Sequence, residues 1–309
     1  MIAPFANLFG YVLNFIYNIV NNYGLAIIIF SILIKLLMIP ISIKQQKTMK
    51  KTTKIQNKMK EIQFKYKNDP ENLNRATMEL YKSENMSPFS GCFSAIVQII
   101  LLFAVFYLVR SPLTYMKKVD SEVLNKYTKI MQQNELSTNS AYPEIEIIKE
   151  LDNIKRLKEQ QKDSSNVENE NSENNEEKID LSEISDEEID SLYINMEFLG
   201  LNLAQVPTNS NDWKAYIIPA LYVIVSIISL RISNPTKKKK NSEDDGNKSE
   251  EEFDPMAQMN KNMNLIFPIM YLAVALIAPL GLALYWLMNS LLMIIEKFAL
   301  NKMLKDEEE

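Results

Sequence analysis

Histidine is absent from the 309-residue sequence, and cysteine occurs only once, at Cys92. Zinc sites, Ser-His-Asp triads and Cys-His dyads all need histidine or clustered cysteines, so the sequence excludes these metal and nucleophile chemistries. A single cysteine also cannot form an internal disulfide. Charge is plentiful but segregated, because the 34 basic and 39 acidic residues fall in blocks between apolar runs.

The apolar residues form four long runs, at residues 23–43, 88–110, 213–232 and 263–298. A bilayer core about 30 Å thick is crossed by a helix of about 20 residues. The last run is too long for one crossing, and Pro279-Leu280-Gly281 near its middle is a helix-breaking turn. We therefore divide it into 263–279 and 280–298. The sequence predicts an all-α integral membrane protein with five membrane-spanning helices.

Residues 1–22 are also apolar, but Asn7, Asn14 and Asn18 interrupt them along one side of a helix. This pattern is typical of a helix that lies in the membrane interface, which is our prediction. A signal-like segment is the alternative. It is disfavoured because no basic region precedes the apolar residues and no small-residue cleavage site follows them.

Charge placement predicts the orientation. Residues 42–86 hold 11 basic and 5 acidic residues, whereas residues 111–212 hold 10 basic and 22 acidic residues. Because Lys and Arg concentrate in cytoplasmic loops, the first segment is predicted to be cytoplasmic and the second to lie outside. The basic residues after the third and fifth spans then also fall in the cytoplasm. We predict a multi-pass protein of the cell membrane, with the N-terminus outside and the tail, 299–309, in the cytoplasm.

Between the first two spans, residues 44–87 are predicted to form a basic helical hairpin. Its first apolar stripe is Ile55, Met59, Ile62 and Tyr66, at helical spacing. Asp69 is a suitable N-cap and Pro70 a suitable first residue for the second helix.

The outer segment, 111–212, is predicted to contain a disordered part with ordered parts on either side. Residues 158–190 are rich in Asn, Ser, Glu and Asp, a composition that favours disorder. Before them, Val119 to Met131 can form an amphipathic helix, and after them Phe198 to Leu203 is a short apolar segment. Residues 233–262 are predicted to be a flexible charged connector in the cytoplasm.

Lys35 lies inside the first predicted span, next to Ile34 and Leu36. A cation in hydrocarbon costs several kcal/mol and usually faces a polar cavity. Snorkelling is the alternative, but Lys44, the next basic residue, is about 13 Å along the helix, and a lysine stem reaches about half that distance. We favour a cavity. We expect no acidic partner for Lys35 within the spans, so that it would be hydrated or meet an acidic group of a substrate.

Several polar residues are candidates to share this cavity: Ser31, Gln98, Asn289 and Ser290. For Gln98 and Asn289 the alternative is an ordinary interhelical hydrogen bond, which contributes about 0.6 kcal/mol in membranes. The Met-rich and aromatic faces of the second and fourth spans suit either packing or the binding of varied apolar segments.

With these residues in place, the sequence resembles the YidC/Oxa-type membrane protein insertases, in the form found in monoderm bacteria. The similarity covers nearly everything outside the acidic segment. The motifs that carry it are Tyr23-Gly24-Leu25-Ala26 leading to Lys35 and Pro40; the hairpin residues Lys58, Glu61, Tyr66, Lys67, Asp69 and Pro70; Gly91-Cys92 with Gln98; and Leu284-Tyr285-Trp286 with Asn289.

The resemblance implies five helices around a hydrophilic groove that holds Lys35, and no catalytic centre, nucleotide or metal cofactor. Tyr285, Trp286, Asn289 and Ser290 would help to line that groove. The implied partners are nascent membrane proteins and the lipid bilayer, with the ribosome and the Sec translocon as candidates. The chain would act as a monomer.

The sequence departs from the family at Lys35, where most relatives carry arginine, and at its acidic C-terminus. Ribosome docking is therefore expected through the hairpin and Lys237–Lys240, because both could contact ribosomal RNA phosphates. A solute transporter, an intramembrane enzyme and a scaffold are the alternative functions. The first is disfavoured by the lack of internal repeats, and the second by the lack of histidine.

Overall fold

The computed structural model describes residues 3–67, 69–84, 90–136, 141–164, 181, 184–233, 269–270 and 272–306. The structure is mostly helical, as predicted. The helices are α1 (Ala3–Val20), α2 (Tyr23–Lys65), α3 (Pro70–Ser83), α4 (Ser90–Arg110), α5 (Ser121–Gln133), α6 (Pro143–Ser164), α7 (Asp186–Leu192), α8 (Ile217–Ser233) and α9 (Leu280–Asp306). Residues 272–277 are also helical.

Three stretches of the described helices are long and apolar enough to cross a membrane: Ala3–Val20, Tyr23–Thr48 and Leu280–Met303. Two apolar stretches are shorter, at Ile99–Arg110 and Trp213–Ser229. The first predicted span thus lies in α2 and the fifth in α9. By length and composition α1 also reaches the size of a crossing helix, although its asparagines favour the interface.

Helix α2 is longer than the first predicted span. Its 43 residues run without interruption from Tyr23 to Lys65 and enclose Pro40. At about 1.5 Å per residue it is about 64 Å long, roughly twice the thickness of a bilayer core. The first span and the first helix of the predicted hairpin are therefore one continuous helix. Residue 43 is therefore not a helix end, and the boundary between span and hairpin at this residue stays a prediction.

The second hairpin helix begins as predicted. Asp69 is the N-cap of α3, where its carboxylate accepts a hydrogen bond from the backbone N–H of Asn72 at 3.1 Å, and Pro70 is the first helical residue. These two residues satisfy or remove the backbone donors that a helix start leaves unpaired.

The break in the last apolar run is confirmed at the predicted place. Residue 278 is a bend, Pro279 is not helical, and α9 begins at Leu280. The first two backbone N–H groups of α9 donate hydrogen bonds to backbone carbonyls. Leu280 N–H donates to the Gln205 carbonyl at 2.9 Å, and Gly281 N–H donates to the Leu203 carbonyl at 3.0 Å. Helix α9 then continues to Asp306, so the segment that we called a tail from residue 299 is helical in its first eight residues.

The chain divides into two compact units. The first consists of Met1–Ser31, Leu102–Tyr222 and Ala273–Met288. Its core holds Leu113, Tyr127, Ile130, Ile145 and Ile154, all less than 2% exposed. The residues come from the π-helical turn Leu113–Lys117 and from helices α5 and α6, so this unit is centred on the segment predicted to lie outside.

Helix α1 packs in the first unit at Gly10. A Cβ atom at this position would lie 1.8 Å from the Tyr115 carbonyl oxygen, so only glycine permits the close approach of the two backbones. The opposite side of α1 is exposed and apolar. That row consists of Phe5, Leu8, Tyr11, Phe15 and Ile19.

The start of α2 is covered by a small β-hairpin, β1 (Glu197–Phe198) paired antiparallel with β2 (Leu201–Asn202). Phe198 lies on Gly24, where an added Cβ would be 2.4 Å from its ring. Asn195 accepts a hydrogen bond from Tyr23 N–H at 3.0 Å. The apolar segment predicted at 198–203 is thus a strand pair.

The prediction of disorder for residues 158–190 is wrong at both ends of that range. Helix α6 extends to Ser164 and α7 begins at Asp186. Lys158 is 5% exposed, and its Nζ lies 2.6 Å from an Asp186 carboxylate oxygen. Ile184 and Ile189 are buried as well. Polar composition suggested disorder, but a few buried apolar side chains and the ion pair between buried Lys158 and exposed Asp186 order these ends. Residues 165–180 lie outside the described residues.

The second unit consists of Ile32–Leu101, Val223–Leu272 and Asn289–Glu309. It contains the helical hairpin, in which Ile55 and Leu80 are buried and the Thr77 hydroxyl donates to the Met59 sulfur at 3.7 Å. The predicted apolar stripe of the first hairpin helix therefore faces the second. The connector predicted at 233–262 lies almost entirely outside the described residues.

Candidate intramembrane charged site

Lys35 of α2 forms an ion pair with Glu296 of α9. Its Nζ lies 2.6 Å from Glu296 Oε2, and the two side chains are 20% and 12% exposed. Our expectation that Lys35 has no acidic partner within the spans is therefore wrong. Glu296 lies within the predicted fifth span, 280–298. The physical reason for the pair is that an intramembrane charge is stabilised when an opposite charge meets it.

The surroundings of the pair are apolar. Leu36 and Leu37 of α2 are 57% and 61% exposed, and Ile295 and Phe298 of α9 are 63% and 60% exposed. Exposed leucine, isoleucine and phenylalanine beside a mostly covered ion pair are the arrangement expected where lipid contacts a helix surface. The ammonium of Lys35 is thus directed to a neighbouring helix.

Helices α2 and α9 run in the same direction. A Cβ at Gly281 would lie 3.4 Å from the Tyr23 ring, near the start of both helices. Farther along, Gln46 Nε2 donates to Asn301 Oδ1 at 2.7 Å. Because contacts advance along both helices together, two parallel helices carry Lys35 and Glu296. If both helices cross the bilayer, their parallel course requires an odd number of further crossings between them, because each crossing reverses the direction of the chain.

The other predicted groove residues have different surroundings. Ser31 is 4% exposed, and its hydroxyl donates to the Ile27 carbonyl at 2.7 Å, one turn back on α2. Asn289 and Ser290 are half-buried and belong to the same unit as Lys35. Asn289 is seven residues before Glu296, so both occupy one side of α9.

Tyr285 and Trp286 are 3% and 5% exposed and belong to the other unit. Gln98 lies in α4, but its side chain is outside what the structure describes. The structure therefore brings Lys35 together with one residue that sequence reasoning missed. The positions of the two residues along their helices were a signal for this pairing. At about 1.5 Å per residue, Glu296 is about 24 Å from the start of α9 and Lys35 is about 18 Å from the start of α2, so parallel helices would place them at similar depths.

The hairpin presents a basic, exposed surface. Lys58 Nζ lies 2.6 Å from Glu84 Oε1, and this hydrogen bond raises the pKa of Lys58 and lowers the pKa of Glu84. Glu61 and Lys67 are exposed, and Lys65 lies 5.2 Å from the centre of the Tyr66 ring. Hydrogen bonds from Asn72 lower the pKa of Asp69. Phe64 is an apolar residue on this surface, 72% exposed.

Within the described ranges, no group of three or more Cys, Asp or Glu side chains is placed to hold a metal ion. The arrangement is that of a helical membrane protein with a charged pair between two parallel apolar helices. The chain matches the family described as 60Kd inner membrane protein over residues 15–308. It belongs to this family, the YidC/Oxa1 family.

Three relatives are named membrane protein insertase YidC. One, from Caldanaerobacter subterraneus subsp. tengcongensis, is 39% identical over 109 residues, which are 35% of this chain and 53% of the relative. One from Fusobacterium nucleatum subsp. nucleatum is 36% identical over 143 residues, or 42% of this chain and 70% of the relative. One from Syntrophus aciditrophicus is 48% identical over 94 residues, which are 30% of this chain and 17% of the relative. The chain thus spans about half of the first relative and less than a fifth of the third.

Proposed function

We propose that the chain is a membrane protein insertase. It accepts newly made membrane proteins and transfers their apolar segments into the bilayer, alone or with the Sec translocon, without hydrolysing a nucleotide. The observation that carries the proposal is the charge of Lys35, held within the apolar surface of α2 in a member of the YidC/Oxa1 family. A charge is kept in such a place at a considerable free-energy cost, and its usual use is to interact with a polar substrate.

The proposed topology has five spans, with the N-terminus outside and the C-terminus in the cytoplasm. The parallel course of α2 and α9 supports an odd count from the first span to the last. Helix α4, helix α8 and the segment before Pro279 supply the three crossings between them. Helix α1 lies in the interface with its apolar row in lipid, and its other side packs on the turn at Tyr115.

In the proposed mechanism Lys35 attracts an acidic group in the hydrophilic tail of a substrate. Asn289 and Ser290, half-buried in the same unit, offer hydrogen-bonding groups to the same tail. Apolar faces of the second and fourth spans receive the hydrophobic segment. Moving about 20 apolar residues from water into lipid is strongly favourable at about 25 cal/mol per Å², so the reaction needs no ATP. Ser31, Gln98, Tyr285 and Trp286 remain predicted groove residues.

The exposed hairpin is the proposed docking surface for the ribosome. Exposed lysines such as Lys67 would contact phosphates of ribosomal RNA, and such binding weakens as salt rises. Lys58 would first have to leave its partner Glu84. The chain acts as a monomer in the cell membrane. Neither a metal nor another cofactor takes part in the proposed reaction.

The experiment is complementation. A bacterial host is depleted of its own insertase, this chain is expressed, and insertion of a small Sec-independent protein with an acidic N-terminal tail is followed by protease protection. Restored insertion supports the proposal. A chain that assembles in the membrane at normal levels but restores no insertion contradicts it and favours a scaffold.

A further inference from the structure

Two carboxylates of this protein that are mostly covered, those of Glu144 and Glu296, are held in very different ways. Glu144 in the first unit is 7% exposed and accepts hydrogen bonds from Thr114, from the backbone N–H at 2.9 Å and from the hydroxyl at 2.6 Å. Both of its oxygens are therefore paired by groups of the protein. This is how a carboxylate with a structural role is normally satisfied.

Glu296 is held by one contact only in the described part of the chain. Its Oε2 meets Lys35 Nζ at 2.6 Å, whereas its Oε1 is buried and has no hydrogen-bond partner among the described residues. A carboxylate held this way depends on the charge of Lys35, because no backbone N–H or hydroxyl in the part of the chain that the structure describes fixes it independently. The pair is therefore able to separate when another anion takes the place of Glu296.

We infer that Glu296 is an internal competitor that occupies Lys35 until an acidic group of the substrate displaces it. This inference rests on the proposed insertase function and adds a regulation of the same site. The ammonium of lysine is a compact point charge that attracts one carboxylate strongly, and a second carboxylate brought beside it is repelled by the first. A tail bearing Asp or Glu must therefore displace Glu296, whereas a neutral tail gains nothing from doing so.

The competition gives the site two uses. In the resting state the pair neutralises Lys35, which lowers the free-energy cost of keeping a charge in an apolar surface. During insertion the freed Glu296 carboxylate is available to a basic group of the substrate, since one of its oxygens has no hydrogen-bond partner within the described ranges. Glu296 thus sets how strongly the protein prefers acidic tails over neutral ones.

The test uses the full chain in proteoliposomes and two single-span substrates that differ only in their N-terminal tail. One tail carries two Asp residues, and the matched tail carries Asn instead. Glu296→Gln removes the competing charge and keeps the shape of the side chain. We expect it to raise the insertion rate of the acidic-tailed substrate roughly threefold to tenfold, and to leave the rate for the Asn tail unchanged.

Two further variants separate this inference from the proposed function. Lys35→Ala should lower insertion of the acidic-tailed substrate, and adding Glu296→Gln to Lys35→Ala should give no preference for the acidic tail. Asp190→Asn is the matched control, because it removes a carboxylate that is 71% exposed and 3.8 Å from Lys155, in the other unit. It should leave both rates unchanged.

If Glu296→Gln leaves the acidic-tailed rate unchanged, or lowers both rates equally, Glu296 is a structural partner of Lys35 and the inference is overturned while the insertase function stands. If wild-type protein inserts neither substrate, the proposed function itself fails. Should Glu296→Gln not assemble, the same two rates are measured for Glu296→Asp. Its shorter stem weakens the contact, so an unchanged preference for the acidic tail would likewise overturn the inference.

Discussion

Glu144 of α6 accepts hydrogen bonds from both the backbone N–H and the hydroxyl of Thr114, at 2.9 and 2.6 Å. Thr114 lies in the π-helical turn that follows α4, and Glu144 lies near the start of α6. The carboxylate therefore joins the end of an apolar helix to the folded part of the outer segment. Burial of Glu144 disfavours the charged form of the carboxyl group, because a buried charge loses its hydration.

We expect the stability of the first unit to depend on the charge of Glu144. Burial raises the pKa of Glu144, although the hydrogen bonds from Thr114 act in the opposite direction. The folded state then holds the proton to a higher pH than the unfolded state does. Protonation of Glu144 therefore adds to the free energy of unfolding. This stabilisation is fully present below the pKa of Glu144 in the unfolded state and is lost as pH rises through its pKa in the folded state.

Glu144→Gln should remove this dependence. Relative to the variant, wild type should lose stability as pH rises above about 4.5, the ordinary pKa of a glutamate, as measured by thermal unfolding in detergent. Glu144→Ala should be less stable than wild type by about 1.5–3 kcal/mol, because it leaves Thr114 N–H without its acceptor. A difference between wild type and Glu144→Gln that is the same at every pH would show that the carboxyl does not titrate in this range.

Gly10 provides a test of how α1 packs. A methyl group at this position would lie 1.8 Å from the Tyr115 carbonyl oxygen, which belongs to the backbone and cannot rotate away. We expect Gly10→Ala to lower the free energy of unfolding by about 1–3 kcal/mol, the usual range for overpacking. The matched control is Gly281→Ala, whose Cβ would have its nearest neighbour at 3.4 Å. Equal melting temperatures for the two variants would contradict the close approach.

The outer segment contains ordered parts on both sides of residues 165–180. Removing 158–190 would delete the first five of the seven residues of α7 together with Lys158, whose ammonium meets Asp186 at 2.6 Å. We expect this deletion to reduce the amount of assembled protein. Replacing only 165–180 with a short Gly/Ser linker should preserve both assembly and insertion, which an immunoblot and protease protection would measure. Loss of insertion by the shorter deletion at normal protein levels would show that residues 165–180 have a function.

Features set by local chemistry could be predicted from the sequence. Proline has no N–H and disfavours the helical conformation in the residue before it, so the break at Pro279 was predictable. Asp69 and Pro70 marked the start of α3 for the same kind of reason. Periodic apolar residues predicted the inner face of the first hairpin helix, where Ile55 is buried and the Met59 sulfur accepts from Thr77.

Features that depend on distant contacts could not be predicted in this way. The sequence places Lys35 and Glu296 at similar distances from the starts of their helices, but their contact also requires α2 and α9 to be adjacent and parallel. The unbroken course of α2 through residue 43 was not predicted, because the apolar run stops there. Lysines and glutamines, though too polar for a bilayer, continue a helix readily in water. The order of α7 depends on the buried partner Lys158, which composition alone does not reveal.

Lys35 gives the most direct test of the charged site. Lys35→Ala removes the cation and leaves Glu296 without its partner, a change that typically costs 3–5 kcal/mol for a buried pair. We expect impaired insertion of an acidic-tailed protein and a lower level of the variant in the membrane. Lys35→Arg keeps the charge, so it should preserve both. The measurement is complementation of an insertase-depleted host, with the membrane level of each variant determined by immunoblot. If Lys35→Ala were as active as wild type at an equal level, the positive charge of this site would have no part in insertion.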